Sequence, residues 1–181
     1  MGGFDYVFSL FGLLLGLSLT EVLSGLSRVF RARQHIRLGW LTPLTGLLLM
    51  TDLVSFWSNA WEMRSVIPAG FGALVFAAAI ASVYYLAASL VFPKEPADWP
   101  DLDQWYMLRR REVIGGVAAA NLLMIAGMML LLGNIYSDAR SIVSTASFFA
   151  AAAIIVVTRR KWLIAALTLA DISFYWVFRY L

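Results

Sequence analysis

Residues 4–37 read FDYVFSLFGLLLGLSLTEVLSGLSRVFRARQHIR, and this stretch decides the fold. From Phe4 to Ser27 only Asp5 and Glu21 carry charge; Arg28, Arg31, Arg33 and Arg37 then follow in close order. A helix needs about 20 mostly apolar residues to cross about 30 Å of hydrocarbon, and residues 4–27 supply them. No positive residue precedes the run. It is longer than the apolar region of a signal peptide and lacks a clear small-residue cleavage site, so it reads as a retained span.

The same pattern recurs along the chain. Apolar runs at 38–61, 69–92, 113–133, 141–158 and 162–180 bring the expected spans to six; the fifth is short and rich in Ala and Ser. The 181 residues are 61% hydrophobic and 14% charged, against about 25% charged in ordinary soluble domains. That composition excludes a water-soluble enzyme, a disordered chain and a nucleic-acid-binding module. The formal charge of +3 is too small and too dispersed for a phosphate-binding face. There is no Cys and one His, so disulfides, thiolate metal sites and metal sites built from several His are excluded.

Lys and Arg set the orientation, because they are retained on the cytoplasmic side. Arg28, Arg31, Arg33 and Arg37 lie in link one–two, Lys94 and Arg109 to Arg111 in link three–four, and Arg159, Arg160 and Lys161 in link five–six. Only Arg64, Arg140 and Arg179 fall on the other side. Trp40, Trp99, Trp105 and Trp162 are placed at the inner boundary, and Trp57, Trp61, Tyr136, Tyr175, Trp176 and Tyr180 near the outer one, where aromatic rings favour the headgroup layer. The expectation is an all-α, polytopic bundle of six transmembrane helices. It forms one domain over 1–181, with both termini non-cytoplasmic. Halves one–three and four–six would then be antiparallel, as in an inverted repeat, although only Ser82-Val83-Tyr84-Tyr85 against Ser173-Phe174-Tyr175-Trp176 hints at one.

Residues 93–112 are the one sizeable polar segment. Pro93, Pro96 and Pro100 break any helix there, and Asp101 and Asp103 suit a helix start. A short cytoplasmic interfacial helix is expected near 101–110, with Leu102, Trp105, Tyr106 and Leu108 near one face. It reads as an anchor for span four or as a docking surface. The basic residues Arg31, Arg33, His35, Arg109, Arg110 and Arg111 are expected to meet lipid headgroups.

Ionisable groups at membrane depth are functional candidates by default. At 1.5 Å per residue from the nearest basic boundary, Glu21 lies roughly 10 Å deep, Asp171 and Asn121 roughly 15 Å, and Asp52 roughly 22 Å. Asn59, Glu62 and Asp5 fall near the outer surface. The acids therefore look staggered across the bilayer, with no Lys, Arg or His at their depth. Three states are open to them. They are protonated, they face water or a bound cation, or they accept hydrogen bonds from groups such as Ser24, Thr20, Tyr84 or Trp57. A proton or cation pathway lined by Glu21, Asp52, Asp171, Asn121 and Asn59 is one reading. Hydrogen-bonded packing in a non-catalytic subunit or assembly factor of a larger membrane complex is the other. A lipid- or quinone-binding groove at Tyr84, Tyr85, Tyr175 and Trp176 is a third.

Small residues at Gly12, Gly16, Thr20 and Ser24 recur every four positions in span one, which suits close helix packing within the chain or a homo-oligomer contact. Ala73, Ala77 and Ala81, and the pairs Gly115/Ala119 and Gly116/Ala120, extend the pattern. No catalytic site, metal or cofactor is expected. Met50-Thr51-Asp52-Leu53 and Leu169-Ala170-Asp171-Ile172 lack the Tyr-Asp and Gly-x-Gly-Asp motifs of intramembrane aspartyl proteases. No His lies at membrane depth for a Ser–His hydrolase.

The segment from Gly16 to Arg28, with Phe56-Trp57, Trp61 and Phe92-Pro93, resembles a group of uncharacterised bacterial membrane proteins of similar length. The resemblance covers most of the chain. It implies a bacterial inner membrane, and it brings no activity, cofactor or catalytic residue. Membrane lipids, a second copy or a membrane-complex subunit are the partners expected, and no nucleic acid.

Overall fold

The computed structural model describes residues 3–68, 70–133 and 139–180, and these form helices joined by turns, with no strand among them. The helices are α1 (Gly3–Ala32), α2 (Leu41–Glu62), α3 (Phe71–Ser89), α4 (Leu102–Leu132), α5 (Ala139–Val157) and α6 (Lys161–Tyr180). A short 3₁₀ turn, Pro96–Asp98, lies between α3 and α4. The first five helices are long and apolar enough to cross a membrane. Large apolar side chains point outward on most of them, among them Leu13, Val54, Leu86, Leu130 and Val157. A surface of that kind is suited to hydrocarbon rather than to water.

Links one–two, three–four and five–six meet at one end of the bundle. Asp101 caps α4 by accepting from Asp103 N at 2.9 Å. Asp103 accepts from Leu41 N, the first residue of α2, at 3.1 Å, and pairs with Lys161, the first residue of α6, at 3.3 Å. One carboxylate thereby ties the starts of three helices. Beside it Arg37 N donates to Pro100 O, Leu102 N donates to Arg37 O, and Thr42 Oγ1 donates to Leu102 O. Gly39 closes this clasp at φ +61°, where a side chain would strike the Asp103 carboxylate. Trp105 Nε1 donates to both Leu90 O and Val91 O at 3.2 Å, satisfying carbonyls just past the end of α3.

The expected interfacial helix at 101–110 is not a separate element. It runs on without a break into the apolar segment as α4. No Pro or Gly stands between Leu102 and Ile114, and Arg and Glu are good helix formers, so nothing ends the helix there. Two contacts show that α4 is not simply parallel to α2. Thr42 meets Leu102, and Asp52 meets Asn121. Ten residues of α2 thus match nineteen of α4, so α4 crosses or bends against its neighbour, and its first turns run across the tied end.

The helices form two groups that share α2 and α4. In the first, α1 packs on α2 and α3, and α3 packs on α4. The buried seam of α1 runs Val7, Phe11, Leu15, Ser18, Val22, Gly25, Val29, spaced four and three apart as in left-handed helix packing. Phe92 is wedged where α1 and α2 come together: a Cβ on Gly25 would lie 2.5 Å from its ring, and one on Gly46 2.9 Å. In the second group α2 packs on α4 and α6, and α5 on α4 and α6. Its apolar cluster of Leu41, Leu48, Tyr106, Ile114, Ala152, Ile155, Ile164 and Ile172 fills the half nearer the tied end. The other half of this group is not filled.

Candidate functional site

Asp52 sits at the junction of the two groups and is 1% exposed. Its carboxylate accepts from three side chains on three other helices. Tyr84 on α3 and Asn121 on α4 donate to Oδ2, the latter at 3.1 Å, and Tyr175 on α6 donates to Oδ1. Asn121 Nδ2 also donates to Val117 O at 3.1 Å, which fixes the amide's orientation. A buried carboxylate costs several kcal/mol unless hydrogen bonds replace its water. Here two phenols and an amide do so, and no Lys, Arg or His touches it among the described residues. Tyr84 is fully buried, edge-on to Phe56 at 5.4 Å.

Behind Asn121 and Tyr175 the unfilled half of the second group forms an open cleft of about 970 Å³. Its walls are the parts of α2, α4, α5 and α6 remote from the tied end. Hydroxyls of Thr51, Ser55, Ser58, Ser144, Thr145 and Ser147 and amides of Asn59 and Asn121 line it, together with the carboxyls of Asp171 and Glu62. Among the described residues its lining holds no Lys, Arg or His. Asp171 lies one helical turn before Tyr175, the donor to Asp52, on the same face of α6. It makes no hydrogen bond or ion pair among the described residues. Toward the tied end Leu48, Ile114, Ile155 and Ile172 close the space with buried apolar side chains. The cleft is therefore closed toward the tied end.

Asp52, Asp171 and Asn121 thus lie together and Asn59 lines the same cleft two turns further along α2, but Glu21 is not with them. Glu21 pairs with Arg28 at 3.5 Å, both side chains about one-third exposed. Arg28 lies two turns further along the same face of α1 and folds back, so the acid does have cationic company. The expected stagger is corrected as well. The depth for Asp52 was counted from Arg37, but α2 starts only at Leu41. From the helix starts, Asp52 and Asp171 are eleven and ten residues in, and they stand at one level.

The basic residues divide. Arg31, Arg33, His35, Arg109 and Arg111 are exposed at the tied end. Arg33 covers the Phe30 ring, and Arg109 covers Trp105 and pairs with Glu112 at 3.5 Å. Arg110 is 7% exposed, and its Nη1 donates to Met107 O. It shares the inward face of α4 with Tyr106 and Ile114, so it cannot serve as a headgroup contact.

The small-residue stripe of α1 lies beside the buried seam, not on it. A Cβ on Gly12 would lie 3.7 Å from the Trp57 ring and one on Gly16 would meet nothing within 4 Å, while Thr20 is exposed and donates to Gly16 O, and Ser24 is half-buried. Of the expected aromatic groove, Tyr84 and Tyr85 point to different faces, one buried and one exposed, so these two do not line a common surface. Tyr136 lies outside the described residues, as do the side chains of Trp176, Arg179 and Tyr180.

The sequence reading missed Tyr175 as a donor to Asp52 and the serines of α5 as lining. The four-residue spacing of Asp171 and Tyr175 was the available signal for the first, and the three-residue spacing of Ser144 and Ser147 for the second. No family model, curated protein or solved structure matches the chain.

Proposed function

We propose that the protein is a six-span membrane protein that binds a proton or cation in the acid-lined cleft and passes it toward Asp52. The observation that carries this reading is the cleft itself. Asp171 lines it, Asp52 stands directly behind Tyr175 and Asn121, and no basic side chain is present among the described lining residues. Such a site attracts cations and repels anions. The apolar closure by Leu48, Ile114, Ile155 and Ile172 fits stepwise binding and release rather than an always-open pore.

In this reading α6 is the sixth span. The tied end, with its three basic links, faces the cytoplasm, and both termini lie on the opposite side. The cleft then opens to the non-cytoplasmic side. The first turns of α4 rest among cytoplasmic headgroups with Arg109 and Arg111, in a bacterial inner membrane. The test uses purified protein in liposomes carrying a pH dye or a sodium dye inside, with an imposed potential. The wild type passes the ion; Asp52→Asn and Asp171→Asn fold and pass less. Unchanged flux in both variants removes the reading.

A second reading, as a subunit or homo-oligomer, draws on different features. Gly16 and Gly115 stand on helix faces where an added Cβ would meet nothing within 4 Å, and α5 buries only Ala152 and Ile155. Purification from native membranes as a lone monomer would count against it.

A further inference from the structure

From the shape and lining of the cleft we infer that its cation is an organic ammonium ion, seated with its charged head at Asp171 and its apolar body against Phe148 and Phe174. This rests on the cation reading given above. Three observations separate an organic cation from an inorganic one.

The first is size. A volume of about 970 Å³ is that of a pocket for a small organic molecule, and far exceeds what one metal ion occupies. The second is the donor set. No group of three or more His, Cys, Asp or Glu among the described residues is placed to hold a metal, whereas hard divalent cations need six to eight oxygens closing around them. One carboxylate suffices for one ammonium group. The third is the aromatic lining around Asp171. Phe148, Phe149, Phe174 and Tyr175 line the same space as Asp171, and aromatic faces attract ammonium ions besides covering an apolar body. A half-buried acid among several rings suits a charged ammonium head on an apolar body.

Access fits the same ligand. The helices α2 and α5 face each other across the cleft without packing together, so an amphipathic cation can slide in between them.

The probe is benzyltrimethylammonium, added to the full-length protein in nanodiscs and followed by calorimetry. Benzyl alcohol serves as the uncharged control. The expected result is saturable binding of the ammonium, weakened about tenfold or more in Asp171→Asn, with no measurable binding of the alcohol. Thermal unfolding of Asp171→Asn establishes that it folds, and Phe148→Leu, which keeps an apolar wall, gives an independent loss. Equal binding of the alcohol, or binding unaffected by either substitution, overturns the inference. If the ammonium does not bind while proton or sodium flux still depends on Asp52 and Asp171, the ligand class is wrong and the cation pathway stands. If neither binding nor flux is found, both readings fall.

Discussion

Removing the Tyr84 hydroxyl tests how Asp52 is held. Tyr84→Phe deletes one donor to Oδ2 and leaves Asn121 on the same oxygen at 3.1 Å. The ring stays, packed against Phe56, so almost no cavity is created. A hydrogen bond to a charged partner is worth about 1.5–3 kcal/mol, and Tyr84 is out of reach of water. The expected loss is therefore about 2 kcal/mol. Tyr175→Phe deletes the donor to Oδ1, but Tyr175 borders the cleft and water can take its place. Its expected loss is below about 1 kcal/mol. The assay is reversible unfolding in mixed micelles, followed by circular dichroism, for both variants and for each combined with Asp52→Asn. Coupling of Tyr84 to Asp52 of about 1.5 kcal/mol or more marks a charged acceptor; about 0.6 kcal/mol is the usual value for polar pairs inside membranes. A Tyr84→Phe variant as stable as the wild type, or one that loses less than Tyr175→Phe, refutes the reasoning.

The further predictions concern the scaffold. Gly25→Ala drives a methyl to 2.5 Å from Phe92; unfolding in the same micelles should show a loss of about 1–3 kcal/mol, partly recovered by Phe92→Leu. Asp103→Ala removes the cap of α2 along with the Lys161 pair and should cost about 1–2 kcal/mol. Lys161→Met breaks only the pairs with Asp101 and Asp103, in which the lysine is half exposed, and should cost below about 1 kcal/mol. Arg110→Met replaces a buried guanidinium, whose hydrogen-bond partner among the described residues is the Met107 carbonyl, with an apolar chain of similar length. Its melting temperature should be unchanged or higher, and a large drop would show that the charge has a partner of its own.

The helices were legible because each has an apolar run of the right length, and the meeting of three links at one end was legible from the placement of Lys and Arg. Asp52, Asp171 and Asn121 were legible as candidates, with Glu21, because polar groups within apolar runs stand out against their neighbours. Their geometry was not. Counting residues gives depth only within a helix, so the non-helical residues 37–40 pushed Asp52 too far from Asp171. Glu21 was misplaced because a long arginine reaches back two turns, and the depth of an α-carbon says nothing of where its guanidinium lies. The burial of Arg110 depended on which face of α4 turns inward. That is set by packing of Tyr106 and Ile114 against α5 and α6, a tertiary fact that a run of three arginines does not reveal.

The central claim is that the cleft favours cations, and the absence of cysteine makes it directly measurable. Ser144→Cys places one thiol on the cleft wall. Its labelling rate is measured in nanodiscs with a trimethylammonium thiosulfonate and a sulfonate thiosulfonate, each corrected for its rate with a free thiol. The account predicts a preference of about tenfold or more for the cationic reagent, reduced in the Asp171→Asn background. Equal rates, or a preference for the anionic reagent, would contradict it.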